Sequence, residues 1–566
     1  MRKYSINFER NETIQYLLCF LCLLVYAGTL FFPLMDKDAA HHANIALNMY
    51  ERHNYTDLID RGDDYLDKPH LLFWTSLASF KIFGVNTFAH RFPALLFALL
   101  SIFSTYRLSL YLSDKTTARL AAAMLATAQA FMLSIMDARM ETPLTAFIIF
   151  SLWQLIVYID ERKLINILLA AAGTAFAFST KGWLGPVIIL LSAFVYLAMN
   201  RKWSVLTDPK TWLFIPLFIL FIAPVLYAYY QQYDLHPEKI IRGQSHRSGV
   251  KFILWDQLFE RSSGFDQGKK GRNSDYFFLY HTFLWAFFPW SIIAYAGLFY
   301  WLRRMFYKKK WRHPFNFAAL SFAVVLFAIS FSKFKMPHYI IMLLPLAAIF
   351  CAPYLRLVSN SMKTFRFFYT LQFIFALLIL LATLALNYYF FQPRNILIHL
   401  FGGAMVFVFV VLLFRRSPDR PMKMIFISIG LSLLLNFFLN YNFFPQVLKY
   451  QGGNELAREM REKNIIIADD NIVDVEQQAH SFDFYRAHNH RMLDVENFST
   501  AYPSIKDKYF LLSGYTKTEV EKQGFKVDPV ISHTDYNVSV IKLKFLNPKT
   551  RQDALDTLYL ARVYQR

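Results

Sequence analysis

The chain has 566 residues, of which 55% are hydrophobic and 18% aromatic, and its formal net charge at neutral pH is +20. The apolar residues come in long blocks, which excludes an ordinary soluble protein and an intrinsically disordered one. Basic loops at a membrane surface account for most of the positive charge, so nucleic-acid binding need not be invoked. The composition therefore predicts a polytopic membrane protein whose partners include membrane lipids and no nucleic acid.

Apolar blocks of roughly 17–25 residues predict about thirteen membrane-spanning helices. The first block follows a short basic stretch and lacks a convincing small-residue cleavage site before Asp36, so we interpret it as a retained span rather than a secretory signal. The predicted spans are residues 13–34, 89–112, 117–136, 143–159, 164–180, 183–199, 211–230, 277–302, 315–331, 338–354, 366–391, 396–414 and 424–445.

The charge bias predicts the orientation of these spans. The densest short basic clusters are 201–202, 303–310 and 415–420, and all three fall in loops on the same side. The positive-inside rule assigns that side to the cytoplasm. We therefore predict a multi-pass protein of a bacterial inner membrane with a cytoplasmic N-terminus, in which an odd number of spans places everything after residue 446 in the periplasm.

The pattern divides the chain into a transmembrane region, residues 1–446, and an extracytoplasmic α/β domain, residues 447–566. Two extracytoplasmic loops, 35–88 and 231–276, are too long to be simple connectors. Apolar residues between Asp38 and Tyr50 follow helical spacing, which predicts an amphipathic helix on the membrane surface. The second loop is polar and is predicted to form a lid.

The C-terminal region alternates between helical and strand-like patterns, and its roughly 120 residues are enough to bury a core of their own. The predicted elements are a helix at 454–463, a buried strand at 465–467, a strand at 508–512, a helix at 516–524, a strand at 537–545 and a helix at 549–564.

Asp38 follows the first span and is the first of the residues that carry chemistry. An Asp at this position could cap the predicted surface helix. A carboxylate held at the bilayer edge could also accept a proton from an attacking hydroxyl. The two roles are not exclusive, and the residues alone leave both open.

Asp67 and Lys68 stand before Pro69, which fixes an extended or turn backbone. Lys68 offers an ammonium group to a phosphate, and Asp67 could hold Lys68 or a substrate hydroxyl. The pair could equally be an exposed ion pair that contributes little. An apolar run begins at Leu71, so Lys68 is predicted to lie against the membrane.

Four further cations are predicted on the same side of the membrane by topology: Arg139, Lys181, Arg261 and Lys335. Each alone could be a side chain that snorkels to the interface. A cluster of cations at one membrane surface is, however, typical of a site for a phosphate-bearing lipid headgroup.

No nucleotide-phosphate loop, paired-cysteine zinc pattern or serine-hydrolase elbow is present in the sequence. His41, His42, Asp38 and Asp67 could in principle bind a metal ion, but they lack the spacing of a known metal site. The sequence therefore identifies no metal ligands and no certain cofactor; a divalent metal stays open but is not indicated.

These residues together resemble the GT-C glycosyltransferases that use polyprenyl-phosphate sugars, in particular the aminoarabinose (lipid A) transferase and protein O-mannosyltransferase-like group. The resemblance covers about residues 10–450, and the order of the motifs is as specific as the motifs themselves. In chain order they are Asp38-x-Ala40-x-x-Ala43-x-Ile45-Ala46-x-x-Met49, Asp67-Lys68-Pro69-x-Leu71 with Trp74, Gly84, Arg91-x-Pro93, Ala138-Arg139-x-x-x-x-Pro143-Leu144, Thr180-Lys181-Gly182, Pro289-Trp290-Ser291, and Lys335-x-Pro337-x-Tyr339 with Pro345.

The chain departs from the family pattern at several positions while Asp38 and the lysines are kept. Ala39 stands for a Glu, His42 for a Tyr, Asn48 for a Glu, His70 for the second Pro of the Lys-Pro-Pro motif, and Glu141 for the Asp of many members.

The resemblance implies a polytopic α-helical enzyme of GT-C fold with a C-terminal α/β domain. Such an enzyme moves one sugar, with inversion, from a polyprenyl (undecaprenyl) phosphate to an extracytoplasmic acceptor: lipid A or another envelope glycolipid, or a protein or glycan. Asp38 is implied as the leading catalytic carboxylate, with Asp67 beside it. The residues implied to bind the lipid phosphate are Lys68, Arg139, Lys181, Arg261, Lys335 and Tyr339.

The competing class is a polytopic lipid or solute transporter or a flippase. In such proteins intramembrane charges line a path near the midplane, often between inverted repeats. Here the predicted charges gather at one face, and no inverted repeat is visible in the sequence. The residues therefore favour the enzyme.

Overall fold

The computed structural model describes residues 12–240, 244–257, 275–332, 335–417 and 419–566. Within these ranges eight helices are long and apolar enough to cross a membrane, or nine if one bent pair counts as a single span. The eight are Thr87–Leu112, Glu141–Glu161, Leu164–Lys181, Pro209–Asp234, Pro337–Ser359, Met362–Phe390, Ile396–Phe414 and Arg420–Tyr450.

The bent pair joins Lys115–Ala126 to Gln129–Met136 at an angle of 54°. At the break, the carbonyl of Thr127 accepts a hydrogen bond from Ser432 Oγ at 2.6 Å, and its hydroxyl accepts one from Trp290 Nε1 at 3.0 Å. Backbone groups freed inside a membrane must find partners within the protein. These bonds therefore stabilise the bend.

The other predicted spans correspond to helices that are short or broken. The predicted span 277–302 divides at the turn before Ser291, and the predicted count of thirteen stays a prediction. The remaining apolar helices are Glu12–Gly28, Leu71–Phe83, Leu184–Asn200, Phe278–Ala286, Ser291–Phe306 and Asn316–Ser330.

The first loop folds into a π-helical turn, Asp36–Ala40, that leads into the helix His41–Arg52. A two-stranded antiparallel sheet follows, β1 (Ile59–Asp60) and β2 (Asp63–Asp64). The prediction of a helix on the membrane surface is wrong, because every residue from 42 to 49 is buried within the protein.

The second loop is described only in part. It contains a π-helical turn, Tyr230–Asp234, and a helical turn at Gly249–Lys251 that continues into Phe252–Asp256. Its apolar side chains pack on Phe178 and on the helix Phe214–Tyr229. The lid stays a prediction.

The C-terminal region forms a five-stranded mixed sheet flanked by helices. The strand order is β4-β3-β5-β7-β6; β3 is parallel to β4 and β5, whereas β7 is antiparallel to β5 and β6. The strands are β3 (Ile472–Val475), β4 (Arg491–Leu493), β5 (Tyr509–Ser513), β6 (Phe525–Asp535) and β7 (Asp556–Gln565), and the α-helices are Gly452–Glu462, His480–Arg486, Phe498–Ile505, Gly514–Lys522 and Leu543–Leu546.

Two predicted helices and one predicted strand of this region are confirmed, whereas three elements are wrong. The run 465–467 is irregular chain just after the helix that ends at Glu462: the amide of Ile465 donates to the carbonyl of Met460, and Ile466 is 95% exposed. The segment 537–545 has no strand, and the last predicted helix is instead β7. Buried Leu558, Leu560 and Val563 pack β7 into the middle of the sheet, where pairing on both edges overrides helical propensity.

The first loop and the C-terminal region are docked onto each other. Arg61 donates to Asp483 Oδ2 at 2.7 Å and to Asp474 Oδ2 at 2.9 Å, and its side chain is 5% exposed. Asn44 donates to the carbonyl of His480 at 2.8 Å. The two parts therefore lie on the same side of the helical bundle.

The docked surface explains one departure from the family pattern. Ala39 is fully buried in an apolar cluster that includes Ala43, Phe80 and Phe484. A Glu at position 39 would bury a carboxylate among apolar side chains, which is costly without a partner.

Candidate active site

Asp38 lies in the wide turn that follows the first helix. Its carboxylate forms an ion pair with Arg139, with 3.1 Å between Oδ2 and Nη2, and the Asp38 side chain is 45% exposed. The turn begins at Asp36, and no side chain caps it or the helix after it. The helix-cap interpretation of Asp38 is therefore wrong, whereas an accessible carboxylate beside a cation is present.

Arg139 lies in the short turn between the bent pair and the helix Glu141–Glu161. It also binds Asp137 Oδ2 at 2.5 Å. Burial raises the pKa of Asp137 above its ordinary value. Burial lowers the pKa of Arg139, but the carboxylates of Asp137 and Asp38 outweigh it, so that this pKa is raised and the guanidinium stays charged.

The guanidinium of Arg139 reaches a second buried cluster through His338. Arg139 Nη1 donates to His338 Nδ1 at 2.7 Å. Because Nδ1 accepts this bond, a neutral His338 carries its proton on Nε2, which lies 3.5 Å from Glu141 Oε1. Arg139 and Glu141 are thus joined through an imidazole.

Lys181 completes this cluster. Its ammonium group donates to Glu141 Oε1, and both side chains are at least 96% buried. The Lys181 Nζ also lies 4.2 Å from the ring centroid of Tyr339. We call the seven residues Asp38, Asp137, Arg139, Glu141, Lys181, His338 and Tyr339 the charge network.

Lys68 and Asp67 form an ion pair with each other near the turn after Lys181. The amide of Gln257 donates to the carbonyl of Asp67 at 3.3 Å. Gly182 has φ +63°, and a Cβ added there would lie 2.9 Å from Gln257 Oε1. Gln257 thus brings the Lys68 segment next to the end of the charge network.

Lys335 and Arg261 are the remaining predicted donor-binding residues. Lys335 Nζ donates to the carbonyls of Ser330 at 2.7 Å and Asp275 at 2.9 Å. It therefore closes the end of the helix Asn316–Ser330, on the segment that leads to His338. Arg261 lies outside the described residues.

The sequence assigned no site role to Asp137 or His338, and Glu141 entered only as a departure from the family pattern. Both missed side chains lie at the ends of apolar helices, Asp137 after Gln129–Met136 and His338 at the start of Pro337–Ser359, where a polar group is costly and usually functional. That cost is the signal that would have identified them.

Two histidines that replace family residues have structural contacts. His70 bonds the carbonyl of Thr56 at 2.7 Å and packs on Trp74, and burial lowers the pKa of His70 to about 4. Burial also lowers the pKa of His42. Within the described ranges, no group of three or more His, Cys, Asp or Glu is placed to hold a metal ion.

Known proteins resemble this chain in sequence. The profile of the family described as dolichyl-phosphate-mannose-protein mannosyltransferase matches residues 67–228. An uncharacterised protein of Aquifex aeolicus (strain VF5) is 28% identical over 66% of this chain and 70% of its own length. An undecaprenyl phosphate-alpha-4-amino-4-deoxy-L-arabinose arabinosyl transferase of Pseudomonas aeruginosa (strain UCBPP-PA14) is 24% identical over 57% of this chain and 58% of its own length.

The fold has a known counterpart. The crystal structure of ArnT from Cupriavidus metallidurans bound to undecaprenyl phosphate matches with a TM-score of 0.73 and 16% identity, over 92% of this chain and 96% of that chain. The same protein in the apo state gives a TM-score of 0.71. The predicted GT-C fold class, helical with a C-terminal α/β region, is thereby confirmed.

Proposed function

We propose that this chain, a membrane glycosyltransferase of the GT-C class, transfers one sugar from a polyprenyl phosphate to an extracytoplasmic acceptor hydroxyl. The observation that carries the proposal is the accessible Asp38 carboxylate at the outer end of the charge network, held by Arg139. The similarity to undecaprenyl-phosphate-dependent arabinosyl transferases supports an undecaprenyl donor. A glycolipid such as lipid A, a glycan or a protein would supply the acceptor.

The two ends of the charge network have different roles in the proposed reaction. The acceptor oxygen forms a bond to the anomeric carbon while the bond from that carbon to the phosphate oxygen breaks, and the configuration inverts. Asp38 takes the proton of the acceptor hydroxyl. The lipid phosphate leaves with both bonding electrons, and cations neutralise its developing charge.

The phosphate is proposed to bind between Arg139 and the cations Lys68, Lys181 and Lys335. Lys181 is fixed by Glu141, so its ammonium group is positioned before substrate arrives. Preorganised charges stabilise a transition state without reorganising at the moment of reaction. Tyr339 would position the ammonium of Lys181 through its ring.

We further propose that the chain is a multi-pass protein of a bacterial inner membrane with the first loop and residues 447–566 in the periplasm. The docking of these two parts onto each other requires that they share one side of the membrane. The basic clusters of the opposite loops favour that side as the cytoplasm.

The test is complementation of a gene deletion, with mass spectrometry of envelope lipids, glycans and glycoproteins. Deletion should remove one sugar mass from one class of molecule. The Asp38→Asn variant should restore about 10²- to 10⁴-fold less transfer to a hydroxyl than the wild type. Asp57→Asn, in the same loop, is the matched control and should restore full transfer. Full transfer by Asp38→Asn would refute the catalytic assignment, and an unchanged envelope after deletion would refute the function.

A further inference from the structure

A cavity of about 1130 Å³ lies between the first loop and the C-terminal region. Sites for small molecules usually measure about 300–1,000 Å³, so this cavity is large enough for an oligosaccharide. Asp36 and His41 line it, and they flank Asp38 along the chain. A ligand in the cavity would therefore lie against the turn that carries Asp38.

The lining of the cavity is strongly acidic. Its cationic side chains are Arg61 and Arg491, and Arg61 is already bound by the buried carboxylates of Asp474 and Asp483. An anion placed there would be repelled by several carboxylates at short range. The lining carboxyl groups are Asp36, Asp60, Asp63, Asp64, Asp494 and Asp535. Burial raises the pKa of Asp36, Asp60 pairs with His41, and Asp64 pairs with Lys239, so Asp63 and Asp494 are the exposed carboxylates on which the repulsion mainly rests.

A second observation points to a ligand. His480 lines the cavity with a side chain that is 8% exposed, and its ring stacks on His41 with 4.5 Å between centroids. The buried Nδ1 of His480 has no hydrogen-bond partner among the described residues. Buried polar atoms in proteins nearly always have a partner. Because His480 lines the cavity, a hydroxyl or amino group held there would lie against this residue.

The remaining lining fits a saccharide that bears hydroxyl and amino groups. The side-chain amides of Gln478, Asn497 and Asn537 can donate and accept hydrogen bonds, and Tyr65 and Tyr536 also line the cavity. Carboxylates accept hydrogen bonds from hydroxyl groups and bind ammonium groups. A phosphorylated saccharide has the wrong charge.

We propose that this cavity binds an unphosphorylated, amino-bearing saccharide portion of the acceptor. The inference rests on the proposed function, because that function supplies the reason for an acceptor saccharide at this place. It also narrows that function: the acceptor hydroxyl would belong to a saccharide that bears amino groups rather than to a protein.

The test is direct binding to the purified full chain in nanodiscs, measured by isothermal titration calorimetry in mildly acidic buffer. The probes are fully deacetylated chitotriose, its N-acetylated form and a phosphorylated chitotriose. Deacetylated chitotriose should bind most tightly, and the phosphorylated form at least tenfold more weakly. The double variant Asp63→Asn with Asp494→Asn should weaken binding of the deacetylated probe at least tenfold. Asp470→Asn, an exposed carboxylate outside the cavity lining, is the matched control.

Equal affinity for the phosphorylated probe, or unchanged binding by the double variant, would overturn the inference. Tighter binding of a lysine-rich peptide than of any saccharide would also overturn it, in favour of a protein acceptor. None of these measurements needs a donor or turnover. An unchanged envelope in the deletion experiment would therefore contradict the proposed function and leave the binding result standing. A chain that transfers sugar but does not bind these probes would contradict only the proposed binding of a saccharide in the cavity.

Discussion

Arg61 should be the residue on which the docking of the first loop to the C-terminal region depends most. Its guanidinium lies between Asp474 and Asp483, whose side chains are fully buried. Arg61→Met replaces the apolar stem of the side chain with one of similar size but removes the guanidinium, which leaves two buried carboxylates without their cation. Breaking a buried ion pair in this way costs about 3–5 kcal/mol.

This cost can be converted into a population. Each 1.4 kcal/mol corresponds to about a tenfold change in an equilibrium constant, so a cost of about 3–5 kcal/mol makes the docked state less favoured by roughly 10²- to 4 × 10³-fold. Hydrogen–deuterium exchange should detect the change as faster exchange at residues 36–61 and 474–490. Sugar transfer should fall as well, because the turn that carries Asp38 is held through these contacts.

Two further variants separate electrostatics from shape. Asp474→Asn with Asp483→Asn, added to Arg61→Met, removes the unpaired charges and should restore part of the protection. Lys522→Met breaks a surface ion pair with Glu519 on the C-terminal region and should cost less than about 1 kcal/mol. Unchanged exchange in Arg61→Met would refute the reasoning, as would an equal effect of Lys522→Met.

Three more variants test other parts of the structure. Lys181→Met should lower the free energy of unfolding in detergent by about 3–5 kcal/mol, because it leaves the buried Glu141 carboxylate unpaired. Adding Glu141→Gln should recover part of that loss, whereas purely additive losses would contradict the ion pair between Lys181 and Glu141. Burial raises the pKa of Asp36 to about 7, so ionising Asp36 destabilises the folded state and stability should fall as pH rises from about 4 to about 7. Asp36→Asn should flatten that fall in thermal melts, and an unchanged slope would contradict it. Gly182→Ala should lower the free energy of unfolding by about 1–3 kcal/mol because Gly182 has a positive φ. Adding Gln257→Ala should recover little of this loss. Full recovery would show that the clash between the new Cβ and Gln257, and not the backbone conformation, causes the loss.

Residues that belong to a sequence motif could be predicted from the sequence, whereas the side-chain contacts between them could not. Asp38, Arg139, Lys181 and Tyr339 were named from motif order, and the structure brings them into one network. Topology alone could place such cations on one face of the membrane. The sequence could not predict which side chains pair, because Glu141 lies two residues from Arg139 but forms its ion pair with Lys181.

In the C-terminal region the sequence predicted neither all of the secondary structure nor the long-range contacts. Short apolar runs are ambiguous between helix and strand, and the residues of β7 read as a helix until the neighbouring strands are known. The carboxylates of Asp474 and Asp483 carried no motif, and their partner Arg61 lies more than 400 positions earlier. Such distant pairs leave no periodic signal in a single sequence.

The docking contacts also have a consequence for biogenesis. Leu34, Asn44 and Arg61 bond to Tyr485, His480 and Asp474, which follow them by 413 to 451 positions. During synthesis the first loop therefore emerges long before its binding partners exist. We expect a nascent chain arrested before residue 474 to insert into the membrane without a finished site. The site would then be completed only after nearly the whole chain has been made.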